Sequence, residues 1–556
     1  MREIKGKILS LGIAITLTFP MLIGCSNNGA GSEFKKPVSI GAPTLGAGKE
    51  EKPVETYTGP KSSYMIYYSV LNDEIMEIAK HYEVVILHPR MGNITREQVR
   101  ELQDSGCTVL GYISIGEDLR TYGKTPEDML QDSRFTVDGS GPRVDPRAEG
   151  DSTLDDVSLT GNPSDGGTGY ASFYLDDNDH NGQPDVNVNF GCAFTNIGDP
   201  LWYDALNEMT FDGVDGIPGI REILTLTYGR GLGCDGLFLD TIDTAAPNFY
   251  TADTDANKTR YEWTAPGVLA FCKHLKEDYP DKQVLQNRGM FMFNTALPMF
   301  KYNPRTYIDY LLVESYRLDS NPTAAYSDGF FRDNKYTYAP KIMAEANRKD
   351  GFRVLSLGYA EGPEEYHMKE TLNGESVAGM GILMEDIYEA QELAGYEHYI
   401  TDGYVVAANT FVIDHEKKKD DIAPVWTSVY NASPVWPPDA PEPRVGIQQI
   451  EAIKGGVVVR YDVAMDRNKV IYQLYYQDHP FDFEKDPDLS EAKCVILDPE
   501  VGDGYDHYAE DVYPNRSEVT GLDAGVEYYF VLRARDNSER ENEEKNQVVM
   551  TATPLK

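Results

Sequence analysis

Cysteine is scarce: six residues among 556, at positions 25, 107, 192, 234, 272 and 494. None forms a CxxC pair or stands at zinc-ligand spacing from histidine, which argues against a disulfide scaffold and a structural zinc site. Cys107, Cys234 and Cys272 lie in apolar segments and are expected to be small buried residues. The nine histidines form neither HExxH nor HxH, and Ser114 and Ser315 lack a GxSxG context, so zinc and serine hydrolases have no signature here. Positive charge is also short, with 51 lysines and arginines against 90 aspartates and glutamates, a net charge of −39. Such a surface repels phosphate backbones and excludes nucleic acid as a partner. It attracts cations, either metal ions or a polyamine-like substrate, unless the acidity serves solubility alone. What is present is globular in kind: 41% hydrophobic and 25% charged residues.

Residues 1–25 divide into a basic start (Arg2, Lys5, Lys7), an apolar stretch from Ile8 to Ile23, and Leu22-Ile23-Gly24-Cys25. The apolar stretch of about 16 residues falls short of the roughly 20 that span a bilayer. The pattern is that of a secretory signal, and its end resembles the bacterial lipobox. That resemblance implies lipidation of Cys25 and an extracytoplasmic, membrane-anchored lipoprotein of a bacterium. Residues 26–60, rich in Gly, Pro, Lys and Glu, are expected to form a flexible tether. No later segment reaches 18 continuous apolar residues.

Between residues 61 and 432, apolar strand-like runs alternate with helical patterns. Eight strands are expected, at Ser63–Val70, Val84–Pro89, Val109–Gly116, Gly236–Asp243, Gln283–Gly289, Tyr310–Tyr316, Arg353–Ala360 and Val405–Phe411. Near-continuous apolar character marks strands buried on both faces. Helices are expected at Asp73–Tyr82, Thr95–Ser105, Gly219–Tyr228, Gly267–Asp278 and Ala339–Lys349, with Thr95 and Gln98 at capping-box spacing. Eightfold alternation points to an α/β fold, a (β/α)8 TIM-like barrel, with a long insertion after strand 3 at about 118–217. A doubly wound sheet would need a Gly-rich dinucleotide turn after the first strand, and none is there. A Pro-rich linker over 433–441 precedes a change of pattern. In 442–556, short strands at Val457–Val463, Val470–Gln477, Val495–Leu497 and Glu527–Arg535 suggest an all-β sandwich. The stretch from Val519-Thr520-Gly521-Leu522 to Tyr528-Tyr529-Phe530-Val531 resembles the end of a fibronectin type III domain, in which a tyrosine at position 528 or 529 packs beneath a corner.

Three acids sit at the ends of barrel strands: Glu117, Asp240 and Glu314, with Asp243 just past the second. An acid there points to the barrel mouth, where burial without a partner or a task is costly. Two such acids on nearby strands can cleave a glycosidic bond, about 5–5.5 Å apart for retention or roughly 6.5–9.5 Å for inversion. Tyr67, Tyr68, Tyr112, Tyr316 and Tyr359 lie at strand tips and offer rings to the apolar faces of sugars. The bland alternative is that arginines such as Arg90 or Arg288 neutralise the acids.

The succession Tyr112-Ile113-Ser114-Ile115-Gly116-Glu117, Gly236-Leu237-Phe238-Leu239-Asp240-Thr241-Ile242-Asp243 and Val313-Glu314-Ser315-Tyr316 resembles glycoside hydrolase family 114. These are the endo-α-1,4-polygalactosaminidases, related to spherulin-4-like proteins. The resemblance covers about residues 61–412 and implies a retaining hydrolase with Asp240 as nucleophile and Glu314 as acid/base. It implies Glu117 and Asp243 as substrate-binding acids, a cationic aminosugar polysaccharide as substrate, and no cofactor for catalysis. Tyr68, Tyr112, Tyr316 and Tyr359 are the expected substrate-binding rings, and a monomer is the expected state. Two alternatives stay open, a non-catalytic glycan-binding lipoprotein and a glycosidase for another α-linked aminosugar polymer.

The insertion carries a second signal. Asp177-Asn178-Asp179-His180-Asn181-Gly182-Gln183-Pro184-Asp185 reads DxDxNGxxD. Calcium takes six to eight hard oxygens, and this spacing offers Asp177, Asp179, Asn181, the Gln183 carbonyl and Asp185, with glycine at the sharp turn. Val188 stands where an EF-hand has glutamate, so Asp176 or a distant acid would have to complete a structural calcium site. Asp253–Asn257 is a weaker echo and reads as a solvated loop.

Overall fold

A computed structural model describes residues 61–90, 93–251, 259–318, 331–359, 371–372, 375–376, 386–408, 420, 422–426, 445–499 and 515–556. The expected signal segment and tether, the linker at 433–441 and Asp253–Asn257 lie outside the described residues.

Eight parallel strands form one sheet in sequence order: β1 (Ser62–Tyr67), β2 (Tyr82–Leu87), β3 (Thr108–Ser114), β4 (Gly236–Asp240), β5 (Gln283–Asn287), β6 (Tyr310–Glu314), β7 (Arg353–Tyr359) and β8 (Glu397–Thr401). Every strand pairs with its sequence neighbour in parallel register, as crossover helices require. The two ends meet: Tyr64 of β1 packs its ring 5.8 Å from that of Tyr399 of β8, and Tyr68 N–H donates to Val405 O at 2.8 Å. The sheet is thus a nearly closed TIM-type barrel. Its interior is apolar because the strands are: Val85, Ile86, Leu237, Leu239, Leu285 and Leu311 are fully buried. Each such side chain contributes roughly 1.5–3 kcal/mol relative to exposure.

Helices α1 (Asp73–Ala79), α2 (Arg96–Asp104), α3 (Pro200–Glu208), α4 (Ile220–Leu224), α5 (Ala265–Asp278) and α6 (Ala339–Ala346) pack outside. Thr95 and Gln98 close the capping box that starts α2. Two expectations need correction. The eighth strand is Glu397–Thr401, not Val405–Phe411. Its sequence EHYIT is broken by the polar Glu397, His398 and Thr401, whereas Val405–Ala408 is a loop with Val405 at φ 56° and the Val406 N–H held by Asp402. The helix expected over 219–228 stops at Leu224, because Gly229, Gly231 and Gly233 all take positive φ and turn the chain back to β4.

The 118–217 insertion is packed rather than loose. Trp202 of α3 is buried against Phe173 and donates Nε1–H to Ile115 O at 2.7 Å, while Tyr174 donates its hydroxyl to Asp118. A short antiparallel pair, Glu117–Asp118 with Ala193–Phe194, joins the end of β3 to this insertion.

Antiparallel sheets follow C-terminally. One has the order β9 (Ile447–Ile453), β10 (Gly456–Tyr461), β13 (Asn515–Thr520). The other runs β12 (Lys493–Leu497), β11 (Ile471–Gln477), β14 (Tyr528–Arg535), β15 (Met550–Ala552). Trp426, Val457, Val459, Tyr472, Leu474, Phe530 and Leu532 form their common core. Tyr528 is buried and accepts the Asp523 N–H, whereas Tyr529 is half-buried.

Candidate active site

Five consecutive barrel strands each place one polar side chain at or within two residues of their C-terminal ends, and those five form a continuous hydrogen-bonded row. Tyr112 of β3 donates to Asp240 Oδ2 of β4 at 2.8 Å. Asn287 of β5 donates from the same Nδ2 atom to Asp240 Oδ1 and to Glu314 Oε2 of β6, each at 2.8 Å. Tyr359 of β7 donates to Glu314 Oε1. The facing carboxylate oxygens can therefore lie no farther apart than twice 2.8 Å. Parallel neighbours share a tip height, which is why single residues at the ends of adjacent strands meet here.

The backbone turns sharply at this rim. Thr241, Arg288 and Ser315, the residues directly after Asp240, Asn287 and Glu314, take positive φ of 65°, 56° and 56°. Side chains with a Cβ avoid this region unless the surroundings hold them there. Thr241 Oγ1 accepts from Gly116 N–H at 2.7 Å, Arg288 N–H donates to Leu312 O at 2.9 Å, and Asn334 Nδ2 donates to Ser315 O at 3.2 Å.

Burial, and then the neighbouring charge of Asp240, push the Glu314 carboxyl up to about 7. Burial also raises Asp240, against donors from Asn287, the Thr241 backbone and Tyr112 that favour its charged form. Three donors to Asp240 against two to Glu314 favour the negative charge on Asp240 and the proton on Glu314. Such a pair can serve as nucleophile and general acid.

Tyr68 stands beside the pair: its hydroxyl is pushed well above its usual range by burial and by the charges of Asp240 and Glu314. Its ring lies 5.4 Å from Tyr112, edge-on. Tyr316 does not join the site. It is buried, with its ring 5.2 Å from Tyr396, because the turn at Ser315 directs the next side chain away from the mouth. Asp243 is held by Arg288 Nε at 2.7 Å and the Gly289 N–H at 2.9 Å, the arginine pairing weighed from sequence. Glu117 is buried, accepts from Asn187 of the insertion at 2.7 Å, and is pushed up to about 8 by burial, with the charge of Asp240 adding to this.

Two residues of this site are not singled out by the sequence analysis. Asn287 is one polar residue in QVLQNRG, and only its bridging position reveals it. His88, at the end of β2, stacks 4.4 Å from Tyr112 and is pushed down to about 3 by burial and Arg90, so its ring is neutral. Its one sequence mark was its place at a strand tip.

In the insertion, Asp176, Asp179 and Asp185 bring carboxylate oxygens within 4.8 Å of one another. Asp177 does not join them. It accepts the Asp145 N–H and the Trp263 Nε1–H on the opposite side of the chain. Asn181 donates from Nδ2 to Asp179 at 2.8 Å and accepts the Gln183 N–H at 2.7 Å, so both stay with the loop. Three converging carboxylates suit a hard dication, with Asp176 in the place expected for Asp177. Cys107, Cys192, Cys234 and Cys272 are buried free thiols.

No protein-family profile and no curated protein matches the chain. Among solved structures it is similar to the glycoside hydrolase domain of PelA from Pseudomonas aeruginosa, at 15% identity and a TM-score of 0.36, over 63% of this chain and 97% of that one. It is also similar to the maltogenic amylase from S. marinus, at 10% identity and a TM-score of 0.32, over 83% of this chain and 67% of that one. A GH18 chitinase from Pseudoalteromonas aurantia matches at 13% identity and a TM-score of 0.25, over 57% of this chain and 92% of that one.

Proposed function

We propose that this protein is a retaining, endo-acting glycoside hydrolase for an α-1,4-linked, galactosamine-containing polysaccharide. One observation carries the reading: the single Asn287 nitrogen that bridges Asp240 and Glu314 at 2.8 Å each. It keeps the two facing oxygens within twice 2.8 Å of each other, which supports the close spacing of retaining enzymes, about 5–5.5 Å, over the roughly 6.5–9.5 Å that accommodates an inverting water. Asp240 attacks the anomeric carbon as the glycosidic C–O bond breaks, and the leaving oxygen takes the proton of Glu314. Glu314 then takes a proton from water, whose oxygen displaces Asp240 from the anomeric carbon. Tyr68 and Tyr112 present rings to the sugar.

The substrate class follows from the resemblance of the strand-end motifs, and the net charge of −39 supports a polymer with free amines. The lipobox-like end at Cys25 supports an extracytoplasmic chain anchored by acyl groups. The two C-terminal sheets, with Tyr528 tucked against Asp523, support a fibronectin type III-like spacer. Asp176, Asp179 and Asp185 would hold a calcium ion that stiffens the insertion.

Turnover of a partially deacetylated α-1,4-galactosamine polymer tests the assignment. Asp240→Asn and Glu314→Gln should each lower kcat by about 10³-fold or more with an unchanged circular dichroism spectrum, since either removes a group made for the transition state. Full activity in either variant would refute it.

A further inference from the structure

Of the three residues with positive φ that follow Asp240, Asn287 and Glu314, Thr241 is the β-branched one. Crowding of a branched Cβ against the backbone makes this region costly for threonine. A threonine stays there only where its surroundings over-determine the turn. Here they do so through its side chain. Thr241 Oγ1 accepts the Gly116 N–H at 2.7 Å and donates to the Asp240 carbonyl at 2.6 Å. It also stands 3.0 Å from Ser114 Oγ, which donates to Glu117 O at 2.9 Å. Gly116 permits the close approach, since a Cβ there would overlap Thr241 O and Thr244 Oγ1. One hydroxyl thus ties the turn after β4 to the turn after β3.

That tie bears on Asp240. Its carboxylate accepts from Tyr112 of β3, from Asn287 of β5 and from the backbone N–H of Thr241. The first two donors are placed by their own strands. The third is placed by the planar peptide between Asp240 and Thr241. Thr241 can relax to negative φ with its flanks in place only if that peptide rotates, and rotation takes the N–H off the carboxylate. We propose that Thr241 is a positioning residue for Asp240: its hydroxyl, clamped to the turn after β3, holds the left-handed backbone that aims the Thr241 N–H at the carboxylate.

The effect on rate rests on the hydrolase reading of Asp240; the effect on the carboxylate rests on the turn alone. A hydroxyl that only stabilised the fold would leave the titration of Asp240 where it is. One that aims a donor favours the charged, nucleophilic form, so its loss lets Asp240 take up a proton at higher pH. The titratable groups facing Asp240 are Glu314, Asp243, Glu117, Tyr68 and Tyr112. None of them is altered by a change at Thr241 or Gly116, so a shift reports the lost donor.

Three variants of the full chain test this. Thr241→Val keeps size and branching but loses the hydroxyl, Thr241→Ser keeps the hydroxyl, and Gly116→Ala crowds the same turn from β3. Thr241→Val and Gly116→Ala should each lower kcat on an α-1,4-galactosamine polymer by about 10²-fold with KM nearly unchanged. Both should move the acid limb of the kcat profile to higher pH, and Thr241→Ser should restore rate and limb together. NMR titration of carboxyl-labelled aspartate, with the Asp240 signal assigned from Asp240→Asn, reads the same upward shift without turnover. An unchanged rate and titration in Thr241→Val, a Thr241→Ser chain as impaired as Thr241→Val, or a rate loss with an unmoved titration would overturn the inference. Should Thr241→Val fail to fold, Gly116→Ala decides by the same two readouts. The titration shift in variants of a chain that cleaves no polymer would keep the positioning role and sink the hydrolase reading. Cleavage by the unmodified chain with no shift in either variant would do the reverse.

Discussion

At the scale of single residues, the account turns on proton placement between Asp240 and Glu314. Burial and the Asp240 charge push Glu314 up to about 7, so its acid form is abundant below that pH and is lost as pH rises through it. The rate of polymer cleavage should therefore be sustained below neutrality and fall on the alkaline side. Tyr359 donates to Glu314 and so favours its charged form. Tyr359→Phe should move the alkaline limb to higher pH, read from a kcat profile. Asn287→Ala removes the bridge and leaves two carboxylates free to swing apart. A kcat loss of about 10²-fold with little change in stability is expected, in line with the cost of misplacing a reacting group.

At the scale of elements, the insertion acts as a wall of the site rather than a loop above it. Trp202 fixes α3 to the end of β3 through Ile115 O. Trp202→Phe keeps the aromatic bulk but loses that bond, and should lower the unfolding free energy by about 1–2 kcal/mol in a denaturant titration. Seven of the eight barrel strands were legible as apolar runs because both their faces are buried. The eighth was not, since His398 and Thr401 interrupt EHYIT, although both are fully buried. Candidate site residues were legible where chemistry shows in the residue type, as with Asp240 and Glu314, which the fold brings together. They were hidden where position alone matters, as with Asn287. Tyr316 and Asp177 misled for different local reasons: the positive-φ turn at Ser315 sends Tyr316 away from the side that Glu314 takes, and Asp176, one residue before Asp177, is the acid that faces Asp179 and Asp185.

At the scale of the whole molecule, an acidic chain is expected to gain stability from cations where its carboxylates converge. Calcium at a hundred times its dissociation constant should add about 2.7 kcal/mol to unfolding. Asp179→Ala should remove the gain, while Asp177→Asn, whose side chain faces Trp263 and Asp145, should leave it in place. In the function proposed above, barrel, insertion and hydrogen-bonded row would serve one event, the splitting of a sugar–sugar link by two acids that share an asparagine. The most direct test is the anomer first formed at the new reducing end, followed by NMR during cleavage of an α-1,4-galactosamine polymer. The account requires the α anomer first, with the β form growing in by mutarotation. The β anomer first would contradict it.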